Sequence, residues 1–189
     1  MLDTPEQELI ERAQEGNADA VATLYRRYVP AIARYIGYRI SDPAAVEDLT
    51  AEVFLRMVEG LPRYQITGAP FEAWLYRIAG ARVVDYYRQL RPAQELNETL
   101  DGNSPPLDLN LQQQEELAEL RQALSQLSDE QQTILVLRFV ERKSHEEVAQ
   151  VLGKSIDAIA TAQHRALKRL AELMGTEKSS RHYLRGRLR

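Results

Sequence analysis

Ser144-His-Glu-Glu-Val-Ala-Gln-Val-Leu152, then Gly153-Lys154-Ser155, then Ile156–Leu170, read as a short helix, a turn and a second helix ending in a basic run. Val148, Leu152, Ile159, Ala166 and Leu170 recur where two helices held at an angle need a small shared core. Gly153 permits the tight turn. Ser155 can cap the second helix, and the amides behind it can face a phosphate. The pattern is a helix-turn-helix, a unit that lays its second helix in the major groove of DNA. Thr161, His164, Arg165 and Lys168 are three or four apart and line one exposed strip. Arg165 can take a guanine edge bidentately, worth about 1–3 kcal/mol of discrimination. Lys154, Lys168 and Arg169 suit phosphate oxygens, which position the helix without reading sequence. No second histidine lies near His164, so it is read as a DNA-facing polar residue and not a metal ligand.

The elements before this stretch carry the same helical period. Ser128-Asp129-Glu130-Gln131 has the capping-box spacing ahead of an apolar helix Gln132–Val140, and Glu115–Leu127 opens that bundle. Ala44–Glu59 places Val46, Leu49, Val53, Phe54, Met57 and Val58 at three- and four-residue steps, one buried face of a helix. Ser41-Asp42-Pro43 starts it and Gly60-Leu61-Pro62 ends it. A loop over Arg63–Pro70 leads to a helix Phe71–Arg88, with Phe71, Trp74, Leu75, Ile78 and Ala79 inward and Arg91-Pro92 as its stop. One of Tyr86 and Tyr87 is expected to pack and the other to face out. Three shorter helices come first: Glu6–Gln14 capped by Thr4 with Pro5 at its first position, Ala18–Arg27, and one from Pro30 to about Arg39. No strand-like alternation competes. The fold class is all-α: two small helical domains, 1–92 and 116–175, joined by a flexible acidic linker over 93–115 and followed by a basic tail over 176–189.

Composition narrows the chemistry. The chain has no cysteine and three unclustered histidines, so neither disulfides nor a zinc site is expected. No nucleophile–base set and no glycine-rich phosphate loop is present, so neither catalysis nor a cofactor is expected. No apolar run reaches the roughly 18–20 residues of a membrane span, and the acidic start Met-Leu-Asp-Thr-Pro-Glu is no secretory signal. A cytoplasmic protein without a membrane partner follows. The net charge of −4 hides alternating blocks. Residues 1–60 hold 11 acidic and 6 basic side chains, 61–92 hold 2 and 5, 93–132 hold 9 and 1, and 133–189 hold 6 and 12. Blocks of opposite sign present different faces to different partners, and the basic ones suit phosphate backbones.

Two constellations in the first domain follow. Asp48 and Glu52 are four apart and share a helix face, with Glu47 beside them and Leu49 and Phe54 nearer the buried side. Carboxylates beside apolar anchors can dock on a basic coiled coil. Arg63, Tyr64, Trp74, Tyr76, Arg77, Arg82, Tyr86, Tyr87 and Arg88 interleave rings and cations. Such a mixture suits single-stranded DNA, where bases stack on rings and arginines hold phosphates. Phe71 and Trp74 are read as core.

Three segments together resemble the bacterial RNA polymerase sigma factors of the extracytoplasmic-function (ECF) group. Val46-Glu-Asp-Leu-Thr-Ala-Glu-Val-Phe-Leu-Arg56 is similar to that family's polymerase-binding helix. Phe71-Glu-Ala-Trp-Leu-Tyr-Arg-Ile-Ala79 with Val84-Asp-Tyr-Tyr-Arg88 is similar to its −10 promoter helix. Leu127-Ser-Asp-Glu-Gln-Gln132 and the helix-turn-helix resemble its −35 module. The resemblance spans about Leu9–Pro92 and Leu117–Leu173. It implies core RNA polymerase as partner, through the β′ clamp helices and the β flap, and promoter DNA. It leaves open an anti-sigma factor as a further partner.

On this resemblance, Glu47, Asp48, Leu49, Glu52, Phe54 and Arg56 bind core polymerase. Arg63, Tyr64, Arg77, Arg82, Tyr86 and Arg88 bind the −10 element, with a non-template base captured in the loop Arg63–Ala69. Lys154, Ser155, Thr161, His164, Arg165, Lys168 and Arg169 bind the −35 element. The linker, with Glu95, Glu98, Asp101 and Asp108, would thread through the polymerase as a nucleic-acid mimic. The tail either adds non-specific DNA attraction or is disordered. The chain departs from the common pattern at Ala51, Gly80-Ala81, Ala160, Ala162 and Gln163. The rival reading is a stand-alone helix-turn-helix regulator with a helical sensor or dimerisation domain, which would bind duplex unaided.

Overall fold

The computed structural model describes residues 5–94 and 111–175. Thr4, the linker positions 95–110 with their four named carboxylates, and the tail 176–189 lie outside the described residues. Every regular element among the described residues is helical, and none is long and apolar enough to cross a membrane. Two compact units form.

The first unit holds α1 (Glu6–Gln14), α2 (Ala18–Gly37), α3 (Pro43–Gly60) and α4 (Phe71–Gln94). Helix α2 packs against each of the other three. Asn17 caps it by accepting from Ala20 N at 2.9 Å, and Asp42 caps α3 by accepting from Ala44 N at 3.0 Å. Each such cap contributes typically about 1 kcal/mol. Leu24, Ile32, Tyr35 and Ile36 of α2 meet a core completed by Val53 and Met57 of α3 and by Phe71, Leu75, Tyr76, Ala79 and Val83 of α4. The Tyr35 and Tyr76 rings lie edge to face at 5.3 Å. Arg39 is buried beside them, donating from Nη1 to the Tyr35 hydroxyl at 2.9 Å, while the Tyr87 hydroxyl donates to its carbonyl.

Proline proves a weaker stop than expected. The chain does not break at Pro30; one helix runs through it. An internal proline costs about 3 kcal/mol. Tyr28, Ile32, Tyr35 and Ile36 are buried on either side of Pro30, and large apolar side chains gain about 1.5–3 kcal/mol each on burial. Packing therefore outweighs the lost hydrogen bond. Likewise α4 continues past Arg91-Pro92 to Gln94.

The second unit is built on α5 (Leu111–Ser125), α6 (Asp129–Leu135) and α8 (Ile156–Leu173). Leu124, Leu127, Leu135 and Ala166 form its core, with Leu120, Leu167, Leu170 and Leu173 packed around them. Helix α5 begins four residues before the expected Glu115. The capping box of α6 is complete: Ser128 Oγ accepts from Gln131 N at 3.3 Å, and Gln131 Oε1 from Ser128 N at 3.1 Å. The helix expected over Gln132–Val140 is not uniform. It starts at Asp129, and Val136–Val140 winds as a wider π-helical turn. Val136 and Leu137 stay buried, while Phe139 is left 55% exposed. Helix α7 (His145–Leu152) follows, with a second capping box between Ser144 and Glu147 that the S-x-x-E spacing would have disclosed.

Candidate functional site

The acidic helix α3 presents Glu47 and Asp48 to solvent, with Leu49 and Glu52 half-buried and Arg56 exposed. Phe54 lies deeper than a docking anchor requires. It is 5% exposed, covered edge-on by Tyr25 at a ring separation of 4.8 Å. Tyr25 and Phe54 join Val21, Met57, Val58 and Pro62 in lining an apolar groove of about 650 Å³ between α1, α2 and α3. The large apolar side chains that α3 does expose are Leu55, at 58%, and Val58, at 45%. Sequence reading missed Leu55, and Val58, expected on the buried face, lies exposed three residues on from it.

One ladder of charge runs from α3 to α4. Glu52 Oε1 receives Arg82 Nη1 at 3.1 Å and Arg56 Nη2 at 3.7 Å. Arg56 also meets Glu59 at 3.6 Å. Arg82 Nη2 meets Asp85 at 2.6 Å, and Arg88 meets the same carboxylate at 3.5 Å. A side chain expected on polymerase and one expected on DNA are thus paired with each other. Tyr86 and Tyr87 are both half-buried, their rings 5.5 Å apart, so neither faces fully out. Burial, then the Asp42 carboxylate, pushes the Tyr86 hydroxyl above its ordinary pKa.

The loop before α4 starts in a short 3-10 turn, Leu61–Arg63. Tyr64 then lies on Trp74 at 4.7 Å and against Phe71 at 5.1 Å. Phe71 is buried and Trp74 half-buried, over Gly60, where the indole leaves no space for a side chain. Beyond Tyr64, residues 65–68 are exposed, with Gly68 at φ +79. Arg63 and Arg77 are both exposed. Burial and the Glu6 carboxylate raise the Tyr64 pKa, and Arg77 opposes them.

In the helix-turn-helix, Gly153 takes φ +65 and Ser155 Oγ accepts from Ala158 N at 3.2 Å, as the turn requires. Lys154, Thr161, His164, Arg165, Lys168 and Arg169 are all exposed. Lys154 reaches Glu130 at 2.5 Å, and Arg169 reaches Glu172 at 3.2 Å. Arg165 and Lys168 form no ion pair among the described residues. Gln163 accepts from Arg138 Nε at 3.0 Å, tying α8 to the π-helical turn. No cluster of three potential metal ligands occurs among the described residues.

The Sigma-70 region 2 profile matches residues 24–92, and the Sigma-70, region 4 profile matches residues 117–170. The chain is 36% identical over 178 residues to the ECF RNA polymerase sigma factor ShbA of Streptomyces griseus, covering 87% of this chain and 93% of that protein. It belongs to the ECF RNA polymerase sigma factors. As a sigma factor it binds core RNA polymerase and promoter DNA in transcription initiation. The ECF sigma factor BldN of Streptomyces coelicolor is 40% identical over 172 residues, 88% of this chain and 65% of that longer protein. In fold this sigma factor is similar to CnrH, solved in complex with the cytosolic domain of CnrY (TM-score 0.68, 25% identity, 91% of this chain and 98% of that one). It is similar too to RpoE of Bartonella quintana, solved with the anti-sigma factor NepR (TM-score 0.62, 22% identity, 82% and 97% covered).

Proposed function

We propose that this sigma factor seats on core polymerase through α3 and reads promoter DNA at two separate places. Glu47, Asp48 and Glu52 supply the charge for a basic surface such as the β′ clamp helices. Leu49 and Arg56 border that contact, and Phe54 contributes from beneath as the floor of the groove. The β flap is a second contact on the polymerase. The first domain, 1–92, takes the −10 element. Arg63 and Arg77 hold phosphates, Tyr64 offers a stacking face, the loop receives an extruded base, and Arg82, Tyr86 and Arg88 continue the track along α4. The second domain, 116–175, takes the −35 element. Arg165 and His164 face base edges, Thr161 meets a thymine methyl or a polar edge, and Lys154, Ser155, Lys168 and Arg169 meet phosphates. The linker over 93–115 spans the two.

The observation that carries the reading is the segregation of sign within the first unit. Glu47 and Asp48 stand exposed on α3, while the Tyr64 ring and the exposed Arg63 and Arg77 lie on the loop and α4. A self-contained dimeric regulator has no use for that arrangement. The protein acts in the cytoplasm, where the polymerase is, and catalyses nothing itself; the chemistry belongs to its partner. An anti-sigma factor that covers these surfaces fits the same reading. Run-off transcription with purified core enzyme on a promoter library tests it. Selective initiation at promoters sharing two spaced elements is expected; tight occupancy of duplex by the chain alone, with no initiation, would support the rival regulator.

A further inference from the structure

Helix α1 lies outside the residues matched by the region 2 profile, yet it holds the start of the promoter loop. Gln14, its last residue, donates from Nε2 to two backbone carbonyls, Leu61 O at 3.0 Å and Tyr64 O at 2.7 Å. Both acceptors are carbonyls, so only the nitrogen end of the amide can face them, and its two hydrogens are fully used. These two carbonyls bracket the 3-10 turn from which the loop departs. Tyr64, the second of them, is the residue whose ring rests on Trp74 and Phe71. The far end of the loop is fixed separately, where Ala73 N donates to Pro70 O at 2.9 Å. Between the two anchors, residues 65–68 are exposed. Helix α1 is itself firmly placed, with Leu9, Ile10 and Ala13 buried and the Tyr28 hydroxyl bonded to Glu6.

We infer that Gln14 is a positioning residue for −10 recognition: through two carbonyls it sets the height and direction at which the loop leaves Tyr64. The inference rests on the proposed reading of that loop as the base-capturing segment. Gln14 lines the apolar groove that Phe54 floors but is none of the charged side chains of α3, so core affinity is measured beside discrimination to separate loop positioning from polymerase docking.

The test uses reconstituted holoenzyme and a promoter on which the wild-type chain initiates. Gln14→Leu keeps the volume without donors. Gln14→Glu keeps the shape but turns an acceptor toward both carbonyls. Discrimination is read as the ratio of initiation rates on that promoter and on one carrying a single base change in the −10 non-template strand. Both variants should lose about tenfold in this ratio at one −10 position, as expected for the loss of two positioning hydrogen bonds. Core affinity and −35 discrimination should be unchanged. Unaltered −10 discrimination overturns the inference, as does a parallel fall in core affinity and −35 discrimination. Ile66→Ala and Thr67→Ala, inside the loop, separate the two ideas. If they abolish discrimination and the Gln14 variants do not, only the role of Gln14 fails; if neither set matters, the loop reading fails and takes this inference with it.

Discussion

Arg82 places its guanidinium 3.1 Å from Glu52, a carboxylate of α3, and 2.6 Å from Asp85 on its own helix. The cation is neutralised inside the free chain. A basic partner that withdraws Glu52 therefore makes Arg82 more available to a phosphate, and linkage requires the converse. The pair is partly exposed, so it is worth only about 0.2–1 kcal/mol.

Glu52→Gln should therefore strengthen binding of the chain to a short single-stranded oligonucleotide in low salt by about two- to fivefold. The gain should vanish in Glu52→Gln with Arg82→Gln. Fluorescence anisotropy measures both. A gain that persists without Arg82 would mean that only bulk charge changed.

Gly60 lies under the single tryptophan. A Cβ there would stand 2.8 Å from Trp74 Cζ2 and 3.1 Å from Cη2. Gly60→Ala should destabilise the first unit by about 1–3 kcal/mol through overpacking. Urea unfolding followed by tryptophan fluorescence reads the cost, and because Trp74 is the only such fluorophore, a shifted emission maximum in the native state should accompany it. An unchanged spectrum and midpoint would show that the ring yields freely.

On α8 the two cations outside any described ion pair should separate by role. Arg165→Ala should relax −35 preference by about 1–3 kcal/mol at one base pair. Lys168→Ala should weaken all promoters alike and lower the salt slope by about 0.9. Initiation rates by holoenzyme on −35 variants, at several salt concentrations, distinguish them; a preference unaltered by Arg165→Ala removes that residue from base reading.

Tyr64 ionises above its ordinary value, chiefly because of burial and then Glu6. The folded chain holds this proton to higher pH than the unfolded chain does. The stability linked to it is complete below about pH 10 and is lost as pH rises through the folded value. Tyr64→Phe should flatten that alkaline fall in urea unfolding. Equal slopes for the two proteins would contradict it.

The helical architecture was legible because buried positions recur at helical spacing in α3, α4 and α8, and because Ser128 marks the start of α6, Gly153 the end of α7 and Ser155 the start of α8. Pro30 misled because a local rule about one hydrogen bond says nothing of the packing on either side, and α4 likewise runs past the stop expected at Pro92. The π-helical turn at Val136–Val140 was invisible for the opposite reason: its apolar run looks the same in either winding. Exposure of Thr161, His164, Arg165 and Lys168 on α8 followed directly from their three- and four-residue steps. The Glu52–Arg82 pair and the Gln14 bridge did not. They join residues 30 to 50 positions apart, and no periodicity within a helix encodes a contact between helices.

The most direct measurement is the affinity of Asp48→Arg with Glu47→Arg for purified core polymerase. Both side chains are exposed on α3, and neither takes part in the Arg82 ladder, so the fold and its ion pairs are left in place. A loss of at least about tenfold is expected, with an unchanged helical spectrum and unfolding midpoint. Core binding as tight as that of the unaltered chain would show that α3 is not the face on which this sigma factor meets the enzyme.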